Sequence, residues 1–442
     1  MLGSGFGFRV SGSLKVGLLV CGVALILGAT LLPFGGMAPE RIPPSWCLRC
    51  GTLWLTDAIA NVALFVPLGL AMAMRRQRVW RVAVVSFCFS LLIELLQSVG
   101  LPPGRSPALA DLVTNTLGGA LGAALFLVLV QERTRTARTA RLLAIAWTVL
   151  AMTVFAVTAR ALQQVEPASN GRLPLSKSPF GHVPGHGWYE GVTDSASVND
   201  TIIRRGWSGP IILAAGADRL PVTASVWVHS TDPLGGQIPL LFVHQRGDSA
   251  AWLQIAKLGN DAELVVMRRA WTWGLMFPSV VVPGVFLGRA VGDTSTVALS
   301  AHVTPAVLSL QRGQTVSTLR LTPLLGWSLV QPVFTVQSGV RGFAQLSWVW
   351  LWVFPIAWWA RRGTRPSVVL AALSVVVVAC LAVMSALFGL APLSPLDWTA
   401  VLSGLASGAI VSRSIRPSPS GPGGNPLSST SARSSATLSE AS

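Results

Sequence analysis

The chain has 442 residues, of which 51% are hydrophobic and only 11% are charged, and its formal net charge is +16. Soluble domains carry about 25% charged residues, so this composition excludes a disordered chain and argues against a purely soluble enzyme. Nucleic-acid binding is not expected, because no basic stripe interleaved with aromatic residues accompanies the positive charge.

Apolar runs of about 20 residues, the length that crosses the hydrocarbon core of a bilayer, recur along the chain. The first run follows a basic start, but it lacks a small-residue cleavage site, so we expect a retained span and not a signal peptide. We predict eight spans, near residues 14–34, 56–74, 82–100, 109–130, 142–162, 345–360, 367–390 and 395–412.

The basic residues alternate with these spans as the positive-inside rule requires. About half of the 33 Lys and Arg, but only Glu132 and Glu440 of the 17 acidic residues, lie in the segments that we assign to the cytoplasm. Both termini are therefore predicted to be cytoplasmic. The basic residues concerned are Arg9, Lys15, Arg75, Arg76, Arg78, Arg81, Arg133, Arg135, Arg138, Arg141, Arg361, Arg362, Arg365, Arg413, Arg416 and Arg433.

Five regions follow from this topology. Residues 1–13 form a cytoplasmic N-terminus, 14–162 a five-span bundle, 163–344 an extracytoplasmic region, and 345–412 three further spans. Residues 413–442 are rich in Ser, Pro and Gly, which predicts a disordered cytoplasmic tail.

Residues 163–344 have a different pattern from the rest of the chain. Short runs of alternating apolar residues at 223–229, 238–244, 251–256, 263–267 and 296–300 are separated by Gly-, Asp- and Asn-containing turns. This period of two predicts an antiparallel sandwich. The pattern resembles the concanavalin A-like (laminin G-type) jelly roll. The predicted fold is therefore a multi-pass α-helical membrane protein with an inserted extracytoplasmic all-β, jelly-roll-type sandwich.

The chemistry of this region is less clear from its sequence. Asp261 and Glu263 lack the spacing of a glycosidase carboxylate pair, so we interpret them as turn and edge residues. His182 and His186 lie in a Gly/Pro-rich loop, and we predict no metal and no cofactor. Five tryptophans could stack on sugar rings or fill the core, and they leave glycan binding open: Trp188, Trp207, Trp252, Trp271 and Trp273.

Polar residues gather near one end of spans two, three and four. Intramembrane polar side chains are costly unless paired, so they are candidates for function. Each span places a carboxylate and an amide on one helix face, and the loop between spans three and four adds one cation. We call this set the outer cluster: Asp57, Asn61, Glu94, Gln97, Arg105, Asp111 and Asn115.

Three carboxylates beside one arginine cannot all stay ionised cheaply at lowered dielectric. The outer cluster would therefore hold a proton, or bind a cation or a cationic group of a ligand, and it carries no identifiable catalytic residue. The alternative is a structural polar plug that joins the helices. Small and kinking residues that serve packing accompany it: Pro67, Gly69, Gly118 and Gly122.

Cys47 and Cys50 form a CxxC motif in the loop before span two. No second pair is present to complete a zinc site. A local disulfide between these two residues is the predicted arrangement, with a redox-active role as the alternative.

Four motifs in the first half of the chain occur in order: Asn61–Gly69, Glu94–Gln97, Gly104–Ser106 and Asp111–Gly122. Together they resemble the VanZ-like family of bacterial membrane proteins, over roughly residues 14–130. The resemblance implies an inner-membrane protein acting at the outer leaflet near cell-wall precursors, with a link to glycopeptide-type antibiotic resistance. Members often carry further acids where this chain has Ala108 and Ala110, which argues against a metal site in the loop.

The leading hypothesis is a non-enzymatic protein that binds a membrane lipid or a lipid-linked cell-envelope precursor, with a glycan recognised by the sandwich. A membrane enzyme or a flippase acting on a lipid-linked sugar is the alternative. A transport pathway would need polar residues through the depth of the bundle, whereas we interpret the tryptophans of the last spans as an interfacial belt. They are Trp348, Trp350, Trp352, Trp358 and Trp359.

Overall fold

A computed structural model describes most of the helices and parts of the intervening region. Its described residues are 12–31, 46–49, 51–102, 106–130, 136–165, 172–174, 193–198, 201–203, 210–212, 220–227, 237–244, 251–276, 278–287, 296–330 and 338–414. Several residues and one segment named above lie outside this range: Cys50, Arg105, His182, His186, Trp188, Trp207 and the predicted tail beyond residue 414.

Long helices occur at every position where a span is predicted. Their bounds are α1 Gly12–Leu31, α2 Trp54–Met74, α3 Val79–Ser98, α4 Leu109–Val130, α5 Ala137–Leu162, α7 Ser338–Ala360, α8 Pro366–Leu387 and α9 Pro395–Ser414, with a four-residue helix α6, Arg269–Thr272, between them. α7 begins within the range assigned to the sandwich, because polar residues in its first turns hide its start from the hydropathy pattern.

Five of these helices, in the described part of the chain, are both long and apolar enough to cross a bilayer: α2, α3, α4, α5 and α8. The chain is therefore a membrane-embedded helical protein. The total of eight spans stays a prediction, since α1, α7 and α9 are shorter in their apolar part or more polar.

α2 and α4 pack backbone against backbone. Gly118 and Gly122 of α4 lie against the carbonyl oxygens of Val62 and Val66, and Gly69 of α2 lies against α4 in return. A Cβ atom at any of the three glycines would overlap the facing backbone. The spacing of small residues thus permits the close approach expected of it. α2 continues as a helix through Pro67.

α5, α7, α8 and α9 form a second helical group with its own apolar core. Rings of Trp327, Trp348, Trp352 and Trp147 make successive contacts at centroid distances of 5.2, 5.6 and 6.2 Å. The Trp147 indole also donates a hydrogen bond of 2.8 Å to the carbonyl of Trp352. Trp348 and Trp352 thus pack between helices and against the 3-10 turn Gly326–Leu329, and the interfacial belt stays a prediction.

Twelve strands are present in the described part of residues 163–344. Their bounds are β1 Arg172–Pro174, β2 Thr193–Val198, β3 Thr201–Ile203, β4 Pro210–Ile212, β5 Leu220–Trp227, β6 Gln237–His244, β7 Ala251–Leu258, β8 Asp261–Val266, β9 Val280–Val282, β10 Thr296–Val303, β11 Val307–Arg312 and β12 Thr315–Arg320. Each of the five alternating runs in the sequence lies on one of them.

The strands form antiparallel sheets with orders β12-β11-β10-β5-β2-β3, β6-β7-β8-β9 and β1-β4. The two larger sheets contribute to one apolar core. Along β10, buried and more exposed residues alternate: Val297, Leu299 and Ala301 are buried, whereas His302 is exposed. Glu263 is not an edge residue, because β8 lies between β7 and β9.

The β region contacts the ends of three helices. Its core includes Leu162 at the end of α5, and the α2 start and the residues after α8 contact it as well. The Ala391 amide, after α8, donates to the carbonyl of Leu321 at 2.9 Å. These are the three ends that the charge pattern assigns to one side of the membrane. At the opposite end, Gly363 in the α7–α8 turn lies beside Arg141 of α5, so Arg-rich segments adjoin each other.

Candidate functional site

The two helices α3 and α4 run antiparallel, and one side-chain contact fixes how their residues line up. The Asn115 amide donates a hydrogen bond of 2.9 Å to the hydroxyl of Ser90, and both residues lie inside the bundle. One turn toward the α3–α4 loop from this pair are Glu94 on α3 and Asp111 on α4. The two carboxylates are thus at the same depth.

The glycine contacts between α2 and α4 align the third carboxylate. Gly118 lies against Val62, and the two helices run parallel. Asp57 precedes this contact on α2 by nearly as many residues as Asp111 precedes it on α4. At a rise of 1.5 Å per residue, the depths of the two carboxylates differ by about 3 Å. Three carboxylates from three helices therefore share one level near the α3–α4 loop.

Glu94 performs a structural task within this layer. It is 1% exposed, and its carboxylate accepts a hydrogen bond of 2.7 Å from the backbone N–H of Ala108. A hydrogen bond of this length from a loop N–H to a buried carboxylate is typical of a charge-assisted bond. Glu94 therefore ties the α3–α4 loop to the end of α3.

Exposure divides the outer cluster into two groups. Gln97 and Asn115 are buried together with Glu94, whereas Asp57 is exposed and Asn61 and Asp111 are half-buried. Asp57, Asn61 and Asp111 could contact a ligand directly. The buried residues hold the helices that carry them. Within the described residues, no three His, Cys, Asp or Glu side chains are placed to hold a metal ion.

The loop before α2 pairs with the loop that Glu94 holds. Cys47 forms a parallel bridge with Ala108, and the Ala110 amide donates to the Cys47 carbonyl at 3.3 Å. Cys47 is disulfide-bonded, and the predicted pairing with Cys50 stays a prediction because Cys50 lies outside the described residues. The bridge places Cys47 beside Ala108, whose N–H donates to Glu94 of the outer cluster.

The first turn of α2 is capped by the β region. The cap position, Leu53, makes no side-chain cap, and instead the N–H groups of Leu55 and Thr56 both donate to the carbonyl of Gly274 at 3.1 Å. Gly274 has a φ of +73°, and a Cβ there would lie 2.5 Å from the ring of Trp54. Only glycine satisfies both conditions. The β region thus fixes where the helix that carries Asp57 begins.

We expect Thr56→Val to weaken this junction. The buried Thr56 hydroxyl donates to the Leu329 carbonyl at 3.0 Å and accepts from the Met276 N–H at 2.9 Å. Valine keeps the shape but removes the hydroxyl from both groups. Because the Met276 N–H also donates to the Leu329 carbonyl at 3.1 Å, neither group is left without a partner, and the expected cost is about 0.5–1.5 kcal/mol. Limited proteolysis and the apparent Tm of the purified protein measure the loss. Thr153→Val is the control, because that exposed hydroxyl bonds only its own helix; an equal effect of both changes would contradict the junction.

Arg268 lies at a second junction, where the β region meets the end of α5. It forms a backbone bridge with Gln164, and its side chain is completely buried. Burial lowers the pKa of Arg268 to about 9 from its ordinary 12.5, so the guanidinium stays protonated at neutral pH. Its Nη1 donates to the Pro305 carbonyl at 3.4 Å.

Sequence reasoning missed the partners that hold the layer in place. Ser90 gives no signal among the apolar residues of its span, and the polar signal of Thr56 is masked by the neighbouring Asp57.

Asp397 is a further buried polar residue, and its role could have been recognised from the sequence, because Ser-x-x-Asp before an apolar run is a capping signature. The structure places it 1% exposed at the start of α9, accepting bonds from the Ser394 N–H and the Gln345 amide.

The comparisons with known proteins concern the region that holds this layer. Residues 22–130 match the family model described as VanZ/LLP1. No curated protein and no solved structure has a significant match to the chain. The matched range contains the seven residues of the outer cluster and the glycines of the α2–α4 contact. The chain is thus a membrane protein whose N-terminal helices are VanZ-like.

Proposed function

We propose that the VanZ-like helices bind the polar group of a lipid-linked or amphiphilic cell-envelope molecule at the outer leaflet of a bacterial inner membrane. The observation that carries the proposal is the layer of three carboxylates at one depth. Asp57 and Asp111 are the accessible members, and they would meet a cationic or hydrogen-bond-donating group of the ligand. Glu94, Gln97 and Asn115 hold the helices that present them.

The convergence of helix ends on the β region supports the same side for both parts. The β region, which we propose to be extracytoplasmic and concanavalin A-like, would then lie beside the bound molecule and recognise its glycan. Stacking by Trp252 does not support this role, since it is 2% exposed and its indole bonds the Val165 carbonyl. Trp271 and Trp273 also pack against the core.

The test is thermal stability of the purified full chain with undecaprenyl phosphate, an undecaprenyl-linked disaccharide and the free disaccharide. A ligand at 100 times its Kd stabilises the folded state by about 2.7 kcal/mol. We expect the undecaprenyl-linked disaccharide, which has hydroxyl donors, to raise the Tm, and undecaprenyl phosphate, whose head group is an anion, not to raise it. The increase should disappear in Asp57→Asn and Asp111→Asn, with the ligand-free Tm nearly unchanged.

Ser98→Ala is the control at the same end of α3, because its exposed hydroxyl bonds only the carbonyl of Leu95. Ligand stabilisation that survives both aspartate changes would contradict the proposal and move binding to the β region. A loss of ligand-free stability in both variants would favour the polar plug.

A further inference from the structure

A cleft of about 580 Å³ opens between α1, α2 and α3 at the Arg-rich end of the N-terminal helices. Leu19 and Val23 of α1 line one wall, and Val85 of α3 lines the other. Met72 and Arg75 also line it, and we call the side at Arg75, which is exposed just after the end of α2, the mouth of the cleft. This volume lies within the range of small-molecule sites, which is about 300–1,000 Å³.

On the side away from Arg75, the cleft adjoins a buried apolar cluster. Ile26, Phe65 and Ile93 form a buried cluster further along the same helices, and Leu68 belongs both to that cluster and to the cleft wall. From Leu68 to Arg75 the helix rises about 10 Å. The shape suits an alkyl chain that enters beside Arg75 and runs toward the middle of the membrane.

Arg75 belongs to an exposed basic segment, and it is the arginine of that segment that lines the cleft. Arg75, Arg76, Arg78 and Arg81 are all exposed in the α2–α3 turn and the first turn of α3. Beside them, Trp80 is 58% exposed, and the Arg81 guanidinium lies 5.4 Å from the centroid of its ring. Exposed tryptophan and arginine together are typical of the membrane–water interface. Basic pockets between helices at this level bind anionic lipid head groups.

We infer that this cleft binds an anionic glycerophospholipid, with one acyl chain between α1 and α3 and the phosphate on the Arg75 guanidinium. Two features select this occupant: apolar walls exclude a free anion from the interior, and the arginine at the mouth favours phosphate with net negative charge over a zwitterionic head group. The site is at the opposite end of the helices from the outer cluster, so it does not depend on the function proposed above.

Native mass spectrometry of the full chain, released from nanodiscs of phosphatidylglycerol or phosphatidylcholine, tests the inference. We expect one retained phosphatidylglycerol per chain and no comparable retention of phosphatidylcholine. Arg75→Gln should weaken phosphatidylglycerol binding roughly tenfold, as the loss of one charge-assisted bond predicts. Arg78→Gln is the matched control, since it removes the same charge from the same exposed turn outside the cleft lining.

A second pair of variants tests the acyl chain. Val85→Trp would fill the cleft and reduce binding, whereas Val84→Trp puts the same side chain on a residue that is 51% exposed and does not line it. Glycerol phosphate, which has the head group alone, should not compete. Equal losses in Arg75→Gln and Arg78→Gln, unchanged binding in Val85→Trp, or equal retention of both lipids would each overturn the inference.

Discussion

Gly69→Ala is expected to force α2 away from α4 and to lower the free energy of unfolding by about 2 kcal/mol, the usual cost of overpacking. A Cβ at this position would overlap the carbonyl oxygen of Gly119 and lie 3.1 Å from the amide nitrogen of Ala123. Because both neighbours are backbone atoms, no side-chain rotation relieves the overlap. The apparent Tm, followed by tryptophan fluorescence, should fall by roughly 4 °C.

Gly28→Ala is the matched control for this change. Gly28 lies in α1, and a Cβ there would meet nothing within 4 Å. Alanine is also the better helix former by about 1 kcal/mol, so the Tm should stay constant or rise. If both alanine variants behaved alike, the close α2–α4 contact could not be the cause of the loss.

Asp397→Ala is expected to lower the free energy of unfolding by about 3 kcal/mol, the sum of the lost capping-box bond from the Ser394 N–H and of donors left without their acceptor. Ser394 stays the N-cap, since its hydroxyl accepts from the backbone N–H of residue 397 at 3.2 Å. The carboxylate accepts from the Ser394 N–H at 2.8 Å, from the Ser394 hydroxyl at 2.9 Å and from the Gln345 amide. It thus joins α9 to α7 as well as starting α9. Thermal unfolding of the purified variant measures the effect.

Thr399→Ala provides the comparison within the same helix turn. Its exposed hydroxyl bonds only the Pro395 carbonyl of its own helix, so a change within about 0.5 kcal/mol is expected. Asp397→Asn keeps one acceptor oxygen and should lose less stability than Asp397→Ala. An asparagine variant as unstable as the alanine variant would mean that charge, and not the number of accepted bonds, holds this junction.

The helices and strands were largely predictable because their signals are local. Runs of apolar residues gave the positions of the long helices, and the period of two gave the strands on which Val297 and Leu299 alternate with exposed neighbours. The contacts of Gly118 and Gly122 in α4 were predictable for the same reason, since small residues one turn apart indicate close helix contact. Gly69 of α2 was expected instead to kink its helix together with Pro67.

Which residues of the outer cluster are buried and which are exposed was not predictable. Glu94 and Asp57 have similar sequence surroundings, yet the first is buried against the Ala108 amide and the second is exposed. The difference arises from which helix lies behind each residue, and one sequence carries no information on that packing. The contacts of Trp348 and Trp352 in α7 were not predictable for the same reason, because an indole suits both an interface and a helix junction.

The dependence of α2 on Gly274 has a consequence for the order of biosynthesis. The Thr56 hydroxyl and the Met276 N–H that it bonds are 220 residues apart in the chain. When α2 emerges from the ribosome and enters the bilayer, the carbonyl that will cap its first turn has not been made, so its first N–H groups must bond to water or lipid head groups. The start of an early helix is therefore completed only when a late segment folds. A substitution that slows folding of the β strands would consequently prolong the time for which a newly inserted helix presents an unfinished end to quality-control proteases.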